Sequence, residues 1–588
     1  MEWCLLEALR DEERDKLARA TTISIAMDER DNRLLVTYAA CKGVEVVSGI
    51  LAQIRDPGRR SEEVAGCVEQ AVRRLCTRRR PHAHMYKPKE APKQLGQTAR
   101  RILDRVEMFS ADGAANEQVA GRLLHPSVER GASGKKLPNL KMVIRDKAHA
   151  ARRLTQRTFK VDDQLADVQA TMLLGDQAPN GKFGSSVAKM LRYSRPCAEI
   201  FEKELGRQRQ PCREGSGPGG NVSHLGFAKQ RFDSTAKPLA VAIWNLDAVI
   251  ATCAVIARDA SIDQRFRSVA RRFLDRLDPT WILLLGMMAD ASDEILHLVR
   301  FFDKEVFEVD AMASAVAQVT DMLQALFKGK GCLSTGFTHL CLEHLRTPKL
   351  VPRSDGTLRS VGGPRADMAS LVQGCLQRME AWAAVVLEVL KPELPDWELL
   401  AAFGVFQLAD RPKSSLARMP TRSAPQIVGP WARERLGALA RQFGVPPGQL
   451  EEEFQDHHKI AHAEKTQHPE FTSMQAWQAA LAKTTRTRTR QVWPSAALLP
   501  VAERYFVCPG STAGIEQTFS GFKRCKGEQW HASESAEERL LVLTLRAHRS
   551  KDLPPRLLLG AQAVWAANFG VPHVRACTGL GVRVRVLV

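Results

Sequence analysis

The chain has 588 residues, 44% of them hydrophobic, with 85 Lys and Arg against 66 Asp and Glu and a net charge of +19. That length exceeds one compact core and predicts about two to four domains, the apolar content excludes a disordered chain, and the basic excess favours a polyanionic partner, nucleic acid above all. Thirteen cysteines without a Cys-x-x-Cys pair exclude a secreted disulfide scaffold and fit a reducing compartment.

Residues 1–20 predict an acidic helix, not a signal peptide. Thr22–Asp28, Arg33–Ala40 and Val44–Ile54 are β-rich runs separated by short polar breaks, the pattern of an antiparallel meander. Ser61–Cys76 predicts a helix, with Ser61 as cap, acids in the first turn and Arg73 and Arg74 in the last. A basic loop from Arg78 to Lys93 leads to a strand, Arg105–Ala111, and a helix from about Ala114 to Leu124. Another strand, Leu140–Ile144, precedes a helix carrying His149, Arg152 and Arg153. Three meander strands followed by alternating units predict a mixed five-stranded sheet with flanking helices, the order of an RNase H-like α/β core. In that order the first strand and the strand after the first helix are neighbours, and their ends carry Asp28 and Asp112.

From 161 to 496 amphipathic and buried helices dominate, which predicts a large all-α insertion domain interrupting the core. Its most apolar run, Pro238–Ala257, contains Asn245 and Asp247 and reads as one buried helix, not a membrane span. Trp244 and Trp281 read as core. The loop Gly206–Gly220 lacks the strand and the Lys-Ser/Thr ending of a nucleotide-binding loop, so no nucleotide cofactor is expected. Cys332, His339, Cys341 and His344 lie in an apolar helical run and read as packing residues. Residues 497–550 resume the core, and 551–588 form a tail with no assigned role.

Asp28 and Asp112 repel if a sheet brings them together, and a divalent cation resolves that repulsion. A third acid completes a site for two Mg²⁺ ions about 4 Å apart, the arrangement used for in-line attack at phosphodiesters. Pro509–Arg524 reads as a loop entering a helix whose Ile515, Phe519 and Phe522 share one face, with Glu516 in its first turn. Glu516 is the natural third ligand.

Ser511–Ser520, STAGIEQTFS, with the downstream ESAEERLLVL, resembles the C-terminal region of hAT superfamily transposases. The resemblance implies an RNase H-like core with a DDE triad of Asp28, Asp112 and Glu516, each a catalytic and metal residue. It implies two Mg²⁺ or Mn²⁺ ions, DNA as substrate, a nuclear location and a homo-oligomer. The family's Cys-x-x-His reads here as Asp146-Lys-Ala-His149, which makes His149 and Asp146 supporting residues. Phe519, Phe522, Leu540 and Leu541 fall in the region implied to dimerise. Arg78, Arg79, Arg80, Arg152, Arg153, Arg486, Arg488 and Arg490 are candidates for phosphate contacts. Gln517 replaces the family Arg after the Glu, and residues 1–60 hold only Cys4 and Cys41, too few for the zinc-binding BED finger of relatives. The alternative expectation is a transposase-derived DNA-binding and dimerisation protein that keeps the fold without the activity.

Overall fold

The computed structural model describes residues 2–30, 32–76, 93–111, 115–126, 137–175, 185–209, 235–304, 308–393, 397–408, 429–486 and 495–509, with single positions 225, 515, 518, 519, 538, 541, 559 and 561. They fall into two compact units. The first comprises Met1–Lys147, Phe302–Ala313 and Pro395–Val588, and the second Ala148–Phe301 and Ser314–Leu394.

The first unit begins with α1 (Glu2–Arg19), β1 (Thr22–Arg30), β2 (Arg33–Lys42), β3 (Glu45–Arg55) and α2 (Ser61–Leu75). It continues through α3 (Lys93–Asp104), β4 (Val106–Ala111), α4 (Ala115–Leu124) and β5 (Met142–Arg145). The five strands form one mixed sheet in the order β3-β2-β1-β4-β5. The β1–β2 and β2–β3 pairs are antiparallel, and β1–β4 and β4–β5 are parallel. Strand alternation gives the sheet two buried faces. Ile23, Ile25 and Met27 of β1 join Leu34 and Val36 of β2 and Phe109 of β4 in one core, with Val64, Val68 and Val72 of α2. At Gly121 a Cβ would stand 3.0 Å from the Phe109 ring and 2.7 Å from Val143, so glycine lets α4 lie close on that core.

Three local expectations need correction. Ser61 is the first residue of α2, not its cap; the Glu63 carboxylate instead accepts the backbone N–H groups of Arg59 and Arg60, both at 3.0 Å. Where a basic loop was expected to run directly into β4, α3 intervenes. Its apolar side, Ala99, Ile102 and Leu103, is interleaved with Arg100 and Arg101, and the buried positions become recognisable only against the sheet. β1 does not end at Asp28 but runs on to Arg30, because the reversal at Asn32 (φ +58°) gives residues 28–30 partners on β2.

The second unit takes most of α5 (Lys147–Thr158), then α6 (Asp163–Gln169), α7 (Val187–Tyr193), α8 (Arg195–Arg209), α9 (Ala236–Trp244), α10 (Leu246–Arg258), α11 (Gln264–Arg276) and α12 (Pro279–Phe302). Most of α13 (Met312–Phe327), α14 (Gly336–Arg346) and α15 (Met368–Glu393) complete its helices. At its core Trp382 stacks on Phe159 with centroids 4.7 Å apart and donates Nε1–H to Thr158 Oγ1 at 2.9 Å. The unit is not all helical: β6 (Lys349–Pro352) and β7 (Leu358–Val361) form a hairpin, turned through Gly356 at φ +85°. The single helix expected over 238–257 is two, α9 and α10, meeting at 89°. Asn245 leaves helical geometry there, and its side chain donates to Val241 O at 2.8 Å, ending α9. Trp244, expected in the core, is 54% exposed at that corner, whereas Trp281 is buried and donates to Asp167. Among the described residues no single helix is long and apolar enough to cross a membrane, and only this bent pair together passes by length and composition.

The helices α16 (Trp397–Ala402), α17 (Pro430–Phe443), α18 (Pro447–Gln467) and α19 (Ser473–Arg486), placed in the insertion by sequence, pack with the sheet unit. With α20 (Leu498–Phe506) they build an aromatic core in which Tyr505 stacks on Phe406 at 4.7 Å and Trp477 donates to Phe406 O at 2.8 Å.

Candidate functional site

The register places Asp28 and Gln53 in one row, either side of Leu35, across the second face of the sheet. Asp28 lies opposite Leu35 on β2, and Leu35 lies opposite Gln53 on β3. Directly opposed residues share a face. On the parallel side the last paired positions are Met27, Ala111 and Arg145, so Asp28 and Asp146 are each one residue beyond them. Asp146 N–H donates to Ala111 O at 2.9 Å, continuing the β4–β5 ladder by one step. Asp28 and Asp146 are both buried, at the C-terminal ends of the parallel ladders.

This face is covered from the far end of the chain. Ile515, Phe519 and Leu541 form a buried cluster with Leu35, and Ala26 and Ile50 pack against it. Ala26 is two residues before Asp28 on the same side of β1. The apolar stripe read in the Pro509–Arg524 stretch therefore rests on the sheet face that carries Asp28. Phe519 and Leu541, expected to contact a second copy, are 5% and 3% exposed within this chain's own core. They have almost no surface to offer a partner, because the sheet needs an apolar cover and the helix supplies it. Phe519→Ala is expected to lower the stability of the first unit by about 3–5 kcal/mol without dissociating an oligomer. Unfolding followed by circular dichroism, with sedimentation velocity at fixed concentration, checks this.

Asp112 and Glu516 lie outside the described residues, as do Arg78, Arg79, Arg80, Arg488, Arg490, Phe522 and Leu540. His149, Arg152 and Arg153 are on α5 and Arg486 ends α19; of these four side chains only Arg153, half-buried, is described. Among the described residues no group of three or more His, Cys, Asp or Glu could hold a metal ion. The two described acids, Asp28 and Asp146, are buried oxygen donors, the type Mg²⁺ prefers. They fit a metal only with further ligands from outside the described residues.

Several polar groups here escaped the sequence reading. Among the described residues neither amide atom of buried Gln53 has a hydrogen-bond partner, nor does the buried hydroxyl of Ser110, which pairs with Ala26 and Ile144. Polar letters at alternate positions of an otherwise apolar strand were the available signal. Arg504 grips Glu107 of β4 with Nε and Nη2, each at 2.6 Å, and lies over Phe443. Its neighbour Glu503 accepts from Thr21 Oγ1 and Gly43 N, both at 2.6 Å. Two adjacent residues of α20 thus tie the helix just ahead of Pro509 to the sheet.

Burial holds the Glu503 carboxyl above the usual carboxylate range, against the two hydrogen bonds that lower it. An acid with a raised folded pKa adds stability below its unfolded pKa and loses it as pH rises through the folded value. Glu503→Gln keeps an acceptor oxygen and removes that loss. Its Tm relative to the parent should rise by about 2 °C between pH 4 and pH 8; a difference independent of pH would refute the assignment.

The Cys and His residues of the second unit have other partners. His339 Nδ1 meets Leu333 O at 2.9 Å, and His344 Nε2 meets Ile243 O at 3.2 Å. Burial pushes the Cys332 thiol up to about 11 and Cys341 further, so both stay protonated.

No family model matches this chain, and no curated protein matches it.

Proposed function

We propose that the first unit is an RNase H-like core and that the protein is a hAT-like transposase or a derivative of one, cutting and joining DNA strands. The observation that carries this reading is the meeting, on one sheet face, of Asp28 with the Ile515–Phe519 cover. Glu516 is one peptide bond from Ile515, and Asp112 is one from Ala111, whose partners on β1 and β5 immediately precede Asp28 and Asp146. The strand order β3-β2-β1-β4-β5, with β2 reversed, supports the same core.

Asp28, Asp112 and Glu516 would hold Mg²⁺ or Mn²⁺. When bound, the ions activate a water or 3′-hydroxyl and stabilise the leaving oxygen. Asp146 is buried at the end of the same parallel ladder, and the resemblance gives His149 a supporting role. Nuclear location and assembly into a homo-oligomer belong to the same proposal.

A second reading, a protein that keeps the fold and DNA binding without cleavage, is favoured by one observation. Lys147, next to Asp146, is fully buried, so a basic side chain stands beside the acid end of the sheet. Nicking of supercoiled plasmid by the purified protein separates the two. Cleavage that needs Mn²⁺ or Mg²⁺ and disappears in Asp112→Asn supports the enzyme. Cleavage equal in both proteins rules out the triad, and none in either leaves the binding protein.

A further inference from the structure

We infer that the arginine face of α11, in the second unit, is a contact surface for the phosphate backbone of duplex DNA. The inference rests on the DNA-binding reading above but concerns residues outside every segment named for it. α11, QRFRSVARRFLDR, carries five arginines and one aspartate. Val269, Ala270, Phe273 and Leu274 bury one side. The other presents Arg265, Ser268, Arg271 and Arg276, with Arg272 half-buried among them. Arg265, Ser268, Arg272 and Arg276 follow one another at three- or four-residue spacing along roughly 16 Å of helix, with Arg271 beside them.

The ends of this stripe are balanced by carboxylates: Arg265 pairs with Asp263 at 3.2 Å, and Arg276 with Asp167 at 3.3 Å. Its middle is held differently. Arg271 donates through Nε and Nη2 to Ala257 O at 3.3 and 3.1 Å, and Arg272 donates through Nη2 to Ser185 O at 3.2 Å. A carbonyl acceptor fixes the Arg271 guanidinium without cancelling its charge, so this exposed fork is oriented in advance, which reduces the entropy lost when it meets phosphate. Arg272 beside it is half-buried and also feels the Asp167 carboxylate. α7 packs along α11 and adds Arg192 and an exposed Tyr193.

The test is fluorescence anisotropy with a labelled duplex, repeated over a range of KCl concentrations. Each lost phosphate contact lowers the slope of log K against log salt by about 0.9. The Arg271→Gln/Arg272→Gln protein should lose about 2 from the slope and about 10- to 100-fold in affinity near 0.1 M salt. The Arg271→Lys/Arg272→Lys protein should keep most of the slope. Ser268→Glu removes no hydrogen bond among the described residues and places an acid mid-stripe, so it should weaken binding even if the double Gln protein fails to fold. Unchanged binding by Ser268→Glu would overturn the inference, as would an equal loss in Arg433→Gln on α17, which would mark a general charge effect. A protein that binds with this slope pattern but never cuts DNA overturns the enzymatic reading alone. One that cuts with Mn²⁺ while Ser268→Glu binds normally overturns this inference alone.

Discussion

Asp112→Asn, and Asp28→Asn with it, is expected to lower Mn²⁺-dependent DNA nicking by about 10³-fold or more, the scale seen when one member of a group acting as a unit is removed. The amide keeps the shape of the carboxylate and one oxygen but loses the charge that holds a divalent cation. Asp28 is the stricter test, because its environment is described. It is buried, opposite Leu35, on the face covered by Ile515 and Phe519. A metal bound only by the folded protein raises Tm with concentration. The parent protein should therefore show a Mg²⁺-induced rise in Tm that Asp28→Asn lacks. An identical rise in both would exclude Asp28 as a ligand, whatever the nicking assay reports.

Arg504→Met should destabilise the first unit by about 3–5 kcal/mol, the cost of leaving a buried charge without its partner. Among the described residues Glu107, the group left behind, would keep only Lys141, whose ammonium lies 3.4 Å away and is partly exposed. The paired change Glu107→Leu/Arg504→Met should recover most of that loss, since buried ion pairs are often replaced by apolar residues at little cost. The double protein keeps the contact of residue 504 with Phe443 and fills the same volume. Urea unfolding, followed by hydrogen exchange within the first unit because two units need not unfold together, provides the comparison. Nicking should fall in the single variant and return in the double one, because Arg504 and Glu107 join α20 to β4, the strand that Asp112 follows in the chain. A double variant as unstable as the single would show that the charges themselves are required.

Much of the sheet was legible. The runs in β1, β2 and β3 are rich in aliphatic and β-branched residues and are divided by polar breaks, and such composition is legible from neighbouring residues alone. The helix α2 announces itself through acids at its start and arginines at its end. The stripe Ile515–Phe519 was visible as a helical face, though what it covers was not. α3 was hidden by its arginines, the hairpin β6–β7 by its four-residue strands, and the break at Asn245 by continuous apolar composition on both sides.

The sequence by itself determined the local periodicities, the basic charge and the order of the acids, because each depends on residue type and short spacing. Tertiary structure alone decided that Asp28 and Asp146 face the same way, that Phe519 and Leu541 are interior, and that Glu107 belongs to Arg504. Those facts depend on strand register and on pairings such as Arg504 with Glu107, 397 positions apart. Shifting the register by one residue would reverse every face in the sheet. Nothing in a local pattern specifies which distant segment closes over it.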